Sequence, residues 1–344
     1  MLDNYENNSI ENPAQPKGYD NLDLDINDVN NNKQFKYHGQ NGDFFIIYLK
    51  NMVLTFLSLG LYYPWAKVEI LKYHYQNTQL EDSRFQFTGT GKEVFRGFIK
   101  VYALIVIIYA LLIYAASSQN ETLVGISLLA FYVIILCMIP LAIHGAMRYR
   151  SSRSVYSGIH FKYTGERMVF FKMFFKEFFF TIVSFGIYSA WMQVNIRKYI
   201  FENLHYGNVN FKFIGEGFDL FILNLKGIFL TYLTLGIYFF WYQKNLIKFM
   251  VDNTKLMQNT TESSLDIAMT GGELFKLIFV NLLIVMFTFG LGAPIATIRT
   301  MNFVFEKLKL NGPVDLNNVI QGNTDDYNDA SGDDFLDFFD FDFL

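Results

Sequence analysis

The sequence predicts a mainly α, multi-pass helical membrane protein built from about five internal repeats, with short β segments of the form aromatic-x-aromatic-x-Gly between helices. Three observations carry that expectation. First, VYALIVIIYALLIYAA (101–116) and LVGISLLAFYVIILCMIPLAIHGAM (123–147) contain no charged residue. Second, only 17% of the 344 residues are charged and 52% are hydrophobic, against about 25% charged in a soluble domain. Third, the chain writes nearly the same thirteen residues three times: LSLGLYYPWAKVE (57–69), VSFGIYSAWMQVN (183–195) and LTLGIYFFWYQKN (233–245).

The head, residues 1–32, carries seven acidic residues and one base, Lys17. It is rich in Asn and lacks apolar periodicity, so it reads as a disordered acidic tail. It has neither a basic start nor an apolar core of signal-peptide type, and no cleavable signal is expected. The body, 33–312, is read as one repeat-built transmembrane domain. The closing segment, 313–344, is acidic and rich in Phe, with eight acids and no base in 323–344. It reads as a second disordered tail, whose DDFLDFFDFDFL could bind a protein partner. Together the ends leave 17 acidic and 27 basic residues in 33–322. A basic body suits an anionic cytoplasmic leaflet, so the lipid bilayer is the expected partner and nucleic acid is not.

Within the body, FKYHG (35–39), FQFTG (85–89), FKYTG (161–165) and FKFIG (211–215) alternate with period two, with IAMTG (267–271) as a weaker fifth copy. Each predicts a short strand ending in a turn. Several copies could pair into one small sheet at the membrane surface. Twenty-one residues after Gly39, Gly165 and Gly215 come Gly60, Gly186 and Gly236, whereas Gly290 follows Gly271 by nineteen. The second copy is stretched by the 101–147 apolar pair, and its end keeps the register: Pro140 precedes Tyr149 by nine, as Pro64 precedes Tyr73 and Pro294 precedes Phe303.

The order FxFxG, greasy segment, T-x-x-[ST]-x-G-[IL]-Y-x-x-W and basic aromatic helix resembles the bacterial inner-membrane family typified by YjgN. The sets Thr55/Ser58/Gly60/Tyr62/Trp65, Thr181/Ser184/Gly186/Tyr188/Trp191 and Thr231/Thr234/Gly236/Tyr238/Trp241 carry the resemblance, which covers the body and neither tail. It implies a multi-pass protein of the bacterial inner membrane and supplies no reaction or substrate.

In the recurring phrase, Gly stops a helix and Tyr and Trp suit the headgroup level. The phrase therefore reads as helix stop, turn and interfacial anchor, in preference to a broken helix lining a substrate site. Lys50, Lys100, Lys176 and Lys226 each follow a strand glycine by eleven residues. Their long stems reach headgroups, so snorkelling is preferred to a role in transport. Glu177 has a shorter stem and is the best candidate for an ion- or proton-handling group. Six crossings, with the tails outside, are preferred over hairpins that dip in and return, although the returning scheme fits the basic residues better.

No catalytic constellation emerges. GTGK at 89–92 lacks the Gly and Ser/Thr of a phosphate-binding loop. The five histidines have no metal-ligand spacing, and Cys137 lies within an apolar run. The chain is read as a non-enzyme without cofactor or metal. The function expected is transport or conduction of a small solute or ion, with a non-catalytic scaffold or partner-binding envelope protein as the alternative.

Overall fold

A computed structural model describes residues 32–118, 120–316 and 319–321. The element order runs strand, helix, helix, strand five times. β1 (Lys33–Tyr37), α1 (Asn41–Leu57), α2 (Tyr63–Asn77) and β2 (Thr78–Leu80) come first, then β3 (Ser83–Phe87), α3 (Gly91–Ser117), α4 (Glu121–Arg153) and β4 (Ser154–Tyr156). β5 (Ile159–Tyr163), α5 (Arg167–Val183), α6 (Ser189–Glu202) and β6 (Leu204–Tyr206) follow. Next are β7 (Val209–Phe213), α7 (Gly217–Leu233), α8 (Phe239–Asp252) and β8 (Thr254–Gln258), and last β9 (Thr261–Ile267), α9 (Gly271–Phe287), α10 (Ala293–Lys307) and β10 (Leu308–Asn311).

The ten strands close into one antiparallel barrel in sequence order, with β10 returning to β1 through Lys33 opposite Leu310. Closure solves the problem of three- to seven-residue strands, which are too short to survive with a free edge. Each aromatic strand finds its partners in the short segments after the even-numbered helices, such as TQL and LHY, which carry no alternation of their own. Phe35, Phe85, Phe161 and Phe211 turn inward and pack on Leu80, Tyr156, Tyr206, Leu256 and Leu310. Gln34, Lys36, Arg84, Gln86, Asn210 and Lys212 are exposed on the outer wall. A barrel that is apolar inside and polar outside is built for water, the reverse of a membrane-spanning barrel.

The lumen is a packed core. Val314, Leu316 and Val319, beyond the last strand, are buried in it. Gln258 clamps that segment, donating to the Asp315 carbonyl at 3.0 Å and accepting from its amide at 2.8 Å. Tyr206 donates to the Tyr156 carbonyl at 3.0 Å and Tyr156 to the Leu80 carbonyl at 2.7 Å, satisfying two buried hydroxyls.

All five helix pairs leave the same end of the barrel, and neighbouring helices touch all the way round, α10 against α1 included, so the helices form a closed ring. This corrects the expectation of a multi-pass helical protein with short β segments between its helices. Among the described residues only α3, with 27 residues, and α4, with 33, have the length and apolarity to cross a bilayer. A 17-residue helix such as α1, α5, α7 or α9 spans about 25 Å, short of the roughly 30 Å hydrocarbon layer. Its partner helix then returns to the barrel, because both ends of every pair are tied to strands. The six-crossing scheme fails on this point.

Candidate functional site

The four short hairpins end in the same tip, and the recurring phrase encodes it. In the first, the Gly60 amide donates to the Thr55 carbonyl at 2.8 Å, and the Ser58 hydroxyl accepts from the Tyr62 amide at 2.9 Å. Gly186 with Thr181, Gly236 with Thr231 and Gly290 with Val285 repeat the first bond at 2.8 Å. Ser184 and Thr234 repeat the second, accepting from Tyr188 and Tyr238 at 2.9 Å. This is a helix-terminating turn whose 6→1 bond ends on glycine, with φ between 89° and 95° at the four positions.

The residue before each tip glycine is also left-handed: Leu59, Phe185, Leu235 and Phe289 have φ of 50–52°. That conformation costs a bulky side chain about 1–2 kcal/mol. Glycine is the usual occupant, yet a large apolar group stands there four times. These side chains are 84%, 98%, 96% and 97% exposed. Around them Phe56, Val183, Tyr232 and Phe287 are also exposed. The ring therefore presents apolar points on the face that also carries the two long helices, whose Ile107, Tyr109, Leu129 and Tyr132 are exposed in turn.

The tryptophans of the phrase also make a contact that the sequence did not announce. Trp65, Trp191 and Trp241 stack on Tyr62, Tyr188 and Tyr238, with centroids 6.0, 5.8 and 6.4 Å apart. Each indole then lies on the first residue of the next hairpin's leading helix. A Cβ added at Gly91, Gly217 or Gly271 would come 2.6–2.7 Å from the Cγ of Trp65, Trp191 or Trp241. Where the preceding hairpin offers no Trp, as before α5 and α1, the same helix position holds Arg167 or Asn41. Three tryptophans thus face three glycines, a pairing visible only when the ring is assembled.

A similar contact explains the strand motif. The second aromatic ring of β1, β3, β5 and β7 lies over the glycine two residues on, no more than 2.7 Å from where a Cβ would stand on Gly39, Gly89, Gly165 and Gly215. In β9 that residue is Ile267, and no glycine is needed. Counting from the helix N-caps Gln40, Glu166, Glu216 and Thr270 puts Met269 in the glycine's place and every tip glycine twenty residues on. The apparent nineteen-residue gap came from aligning Gly271, which corresponds instead to Gly91 and Gly217.

Halfway along the short hairpins lies a polar belt. The Lys50 ammonium pairs with Glu69 at 2.5 Å. Glu177 is buried, at 2% exposure, accepting from the Asn195 amide at 2.8 Å and lying 3.7 Å from the Lys176 ammonium. Tyr242 donates to Asn224 at 3.0 Å, and Asn281 accepts from Arg299 at 3.1 Å while donating to Thr300 at 3.0 Å. Buried Asn51 has no hydrogen-bond partner for either amide atom among the described residues. In the long hairpin the belt is interrupted by buried Val101, next to Lys100, packed on Ala142. The sequence reading singled out Glu177 and the lysines but missed Glu69, Asn195, Asn281 and Arg299. The missing signal was register: Asn51, Val101, Glu177, Gly227 and Asn281 all stand eleven residues after an N-cap.

Lys226 differs from its counterparts. No carboxylate lies within ion-pair distance of it among the described residues, and it lines a cavity of about 330 Å³ with Asp219, Tyr238, Tyr242 and Asn245. Among the described residues no three of His, Cys, Asp and Glu gather into a group able to hold a metal ion.

The family described as "Bacterial protein of unknown function (DUF898)" matches residues 32–214 and 242–338. The inner membrane protein YjgN of Salmonella typhimurium is 27% identical over 132 residues, 38% of this chain and 31% of that protein. The inner membrane protein YjgN of Escherichia coli strain K12 is 30% identical over 129 residues, 38% of this chain and 30% of that protein. The matched stretch thus spans about three tenths of those relatives' length. No solved structure matches the chain.

Proposed function

The chain belongs to this bacterial family, similar to inner membrane protein YjgN, and from that premise we propose that it is a non-catalytic scaffold seated in the bacterial inner membrane. The observation that carries the reading is the set of four strained, nearly fully exposed apolar tips. In water they would cost stability twice, through backbone strain and through exposed apolar surface; sunk in lipid, the side chains repay the strain. In this reading five copies of one module make the ring. α3 and α4 cross the bilayer, and the four short hairpins dip into one leaflet and return.

Lys92, Arg96, Arg148, Arg150 and Arg153 lie at the barrel ends of α3 and α4, which supports a cytoplasmic barrel. The described chain starts and ends at the barrel mouth away from the helices. Both acidic ends then belong to the cytoplasm. Residues 1–31 and 322–344, where most of their charge lies, are outside the described residues; a protein partner for the C-terminal acids is part of the proposal.

Single cysteines in a Cys137→Ala background test the seating with a membrane-impermeant maleimide. Positions 86 and 210 on the barrel wall should label only from the cytoplasm, and positions 185 and 235 from neither side. Labelling of a tip from the periplasm would overturn the returning hairpins.

Transport of a small solute or ion is the second reading, favoured by the ionisable groups of the mid-hairpin belt. The packed barrel core and the pairing of Glu177 with Asn195 support the scaffold instead. Solute or ion flux in liposomes that is abolished by Glu177→Gln would reverse the order.

A further inference from the structure

Four hairpins carry a lysine ten residues after the N-cap of their first helix, Lys100 in the long α3–α4 hairpin and three in short ones, and the short hairpins treat it differently. Lys50 is neutralised by Glu69 of the facing helix, and Lys176 by its neighbour Glu177. In the α7–α8 hairpin both of those positions have lost their carboxylate: Gly227 stands where Glu177 does, and Asn245 where Glu69 does. The space has been reshaped as well. Tyr242 lies directly on Gly227, where an added Cβ would overlap the ring. Beside it opens the cavity of about 330 Å³, with Lys226 and Asp219 on its wall. The other lysine of this cavity, Lys248, is already bound to Asp252 at 2.8 Å and Asp266 at 3.2 Å. Of the two lysines lining this cavity, Lys226 is the one with no carboxylate within ion-pair distance among the described residues.

Depth decides what could neutralise it, and this step rests on the proposed seating. Lys226 lies nine residues, about 13 Å, back from the tip residue Leu235. With the tip in the hydrocarbon of one leaflet, roughly 15 Å deep, the ammonium stands at headgroup level. There the abundant anion is a phosphodiester, and a lone ammonium binds phosphate as a point charge. Asp219, two helical turns or about 10 Å nearer the barrel on the same face of α7, supplies the opposite charge. Tyr238 and Asn245 add neutral polar groups, and Ile222 and Leu223 the apolar floor.

We propose that the α7–α8 cavity is a binding site for a zwitterionic, amine-bearing phospholipid headgroup, with its phosphate on Lys226 and its ammonium on Asp219. The site gives the scaffold a specific lipid contact at one hairpin of five.

The test uses the full-length protein, purified in detergent and stripped of lipid, titrated with short-chain phosphatidylethanolamine, short-chain phosphatidylglycerol, O-phosphoethanolamine and inorganic phosphate. Binding is read by calorimetry. Lys226→Ala should weaken phosphatidylethanolamine binding by at least about tenfold, the size of a lost charge-assisted contact. Lys226→Arg should retain most of it, and Asp219→Asn should erase the preference for phosphatidylethanolamine over phosphatidylglycerol. O-Phosphoethanolamine binding as tightly as the lipid would keep the site and assign it a soluble phosphoester. Equal lipid binding by wild type and Lys226→Ala would overturn it. Because this assay needs no bilayer, its failure is separable from failure of the seating, which the maleimide labelling reads alone.

Discussion

Gly217→Ala is the sharpest test of how the ring is held together. The added methyl would lie 2.6 Å from Cγ of Trp191 and 2.9 Å from its Cα. Rotation of the indole relieves the first contact but not the second, so α6 and α7 must separate by several tenths of an ångström. Overpacking of this kind costs about 1–3 kcal/mol. The gain in helix propensity, up to about 1 kcal/mol in a helix interior and less at the first position, offsets only part of it. Thermal unfolding in detergent should therefore fall by a few degrees. A double-mutant cycle makes the result specific: with Trp191→Ala in place, the alanine at 217 has room and its penalty should disappear. The coupling energy should be at least about 1 kcal/mol. Asn41→Ala, at the equivalent position facing no Trp, should stay within about 0.5 kcal/mol. An unchanged penalty at 217 in the Trp191→Ala background would refute the clasp.

The remaining predictions probe the tips and the barrel. Phe185→Gly should raise unfolding stability in detergent by about 1 kcal/mol, by releasing left-handed strain, while lowering the fraction retained in membranes after alkaline washing; loss of stability would contradict the strain argument. In the lumen, burial, followed by the charges of Glu81 and Asp82, holds the Tyr156 hydroxyl up at about 12. Burial together with Tyr156 also raises Tyr206. Because the folded values lie above the unfolded value near 10, this contribution is intact below pH 10 and is lost as pH rises towards 12. Tyr156→Phe should cost about 1 kcal/mol at neutral pH and flatten the alkaline fall followed by near-ultraviolet circular dichroism. A slope identical to wild type between pH 10 and 12 would count against the buried tyrosine pair.

Local patterns were legible wherever a residue's job is done within about twenty residues of itself. The period-two aromatics announced β1, β3, β5 and β7, and the recurring Thr, Ser and Gly spelled out a helix-ending turn, because its hydrogen bonds join residues four and five apart. The strands β2, β4 and β6 were invisible: three residues such as SVY hold no period, and only a partner far away in the chain makes them strands. The same distance hid Glu69 behind Lys50 and Asn195 behind Glu177, since the facing helix enters after a turn that no periodicity crosses.

What the amino-acid order determined alone was the pair of uncharged runs at 101–116 and 123–147, the recurring phrase and the family resemblance. Tertiary structure decided the rest. Whether a greasy segment crosses or returns depends on where both of its ends are anchored, and the barrel anchors them at one end. Whether Trp191 faces lipid or a glycine depends on which helix closes beside it. Both are consequences of ring closure, a condition on the whole chain that no single segment contains.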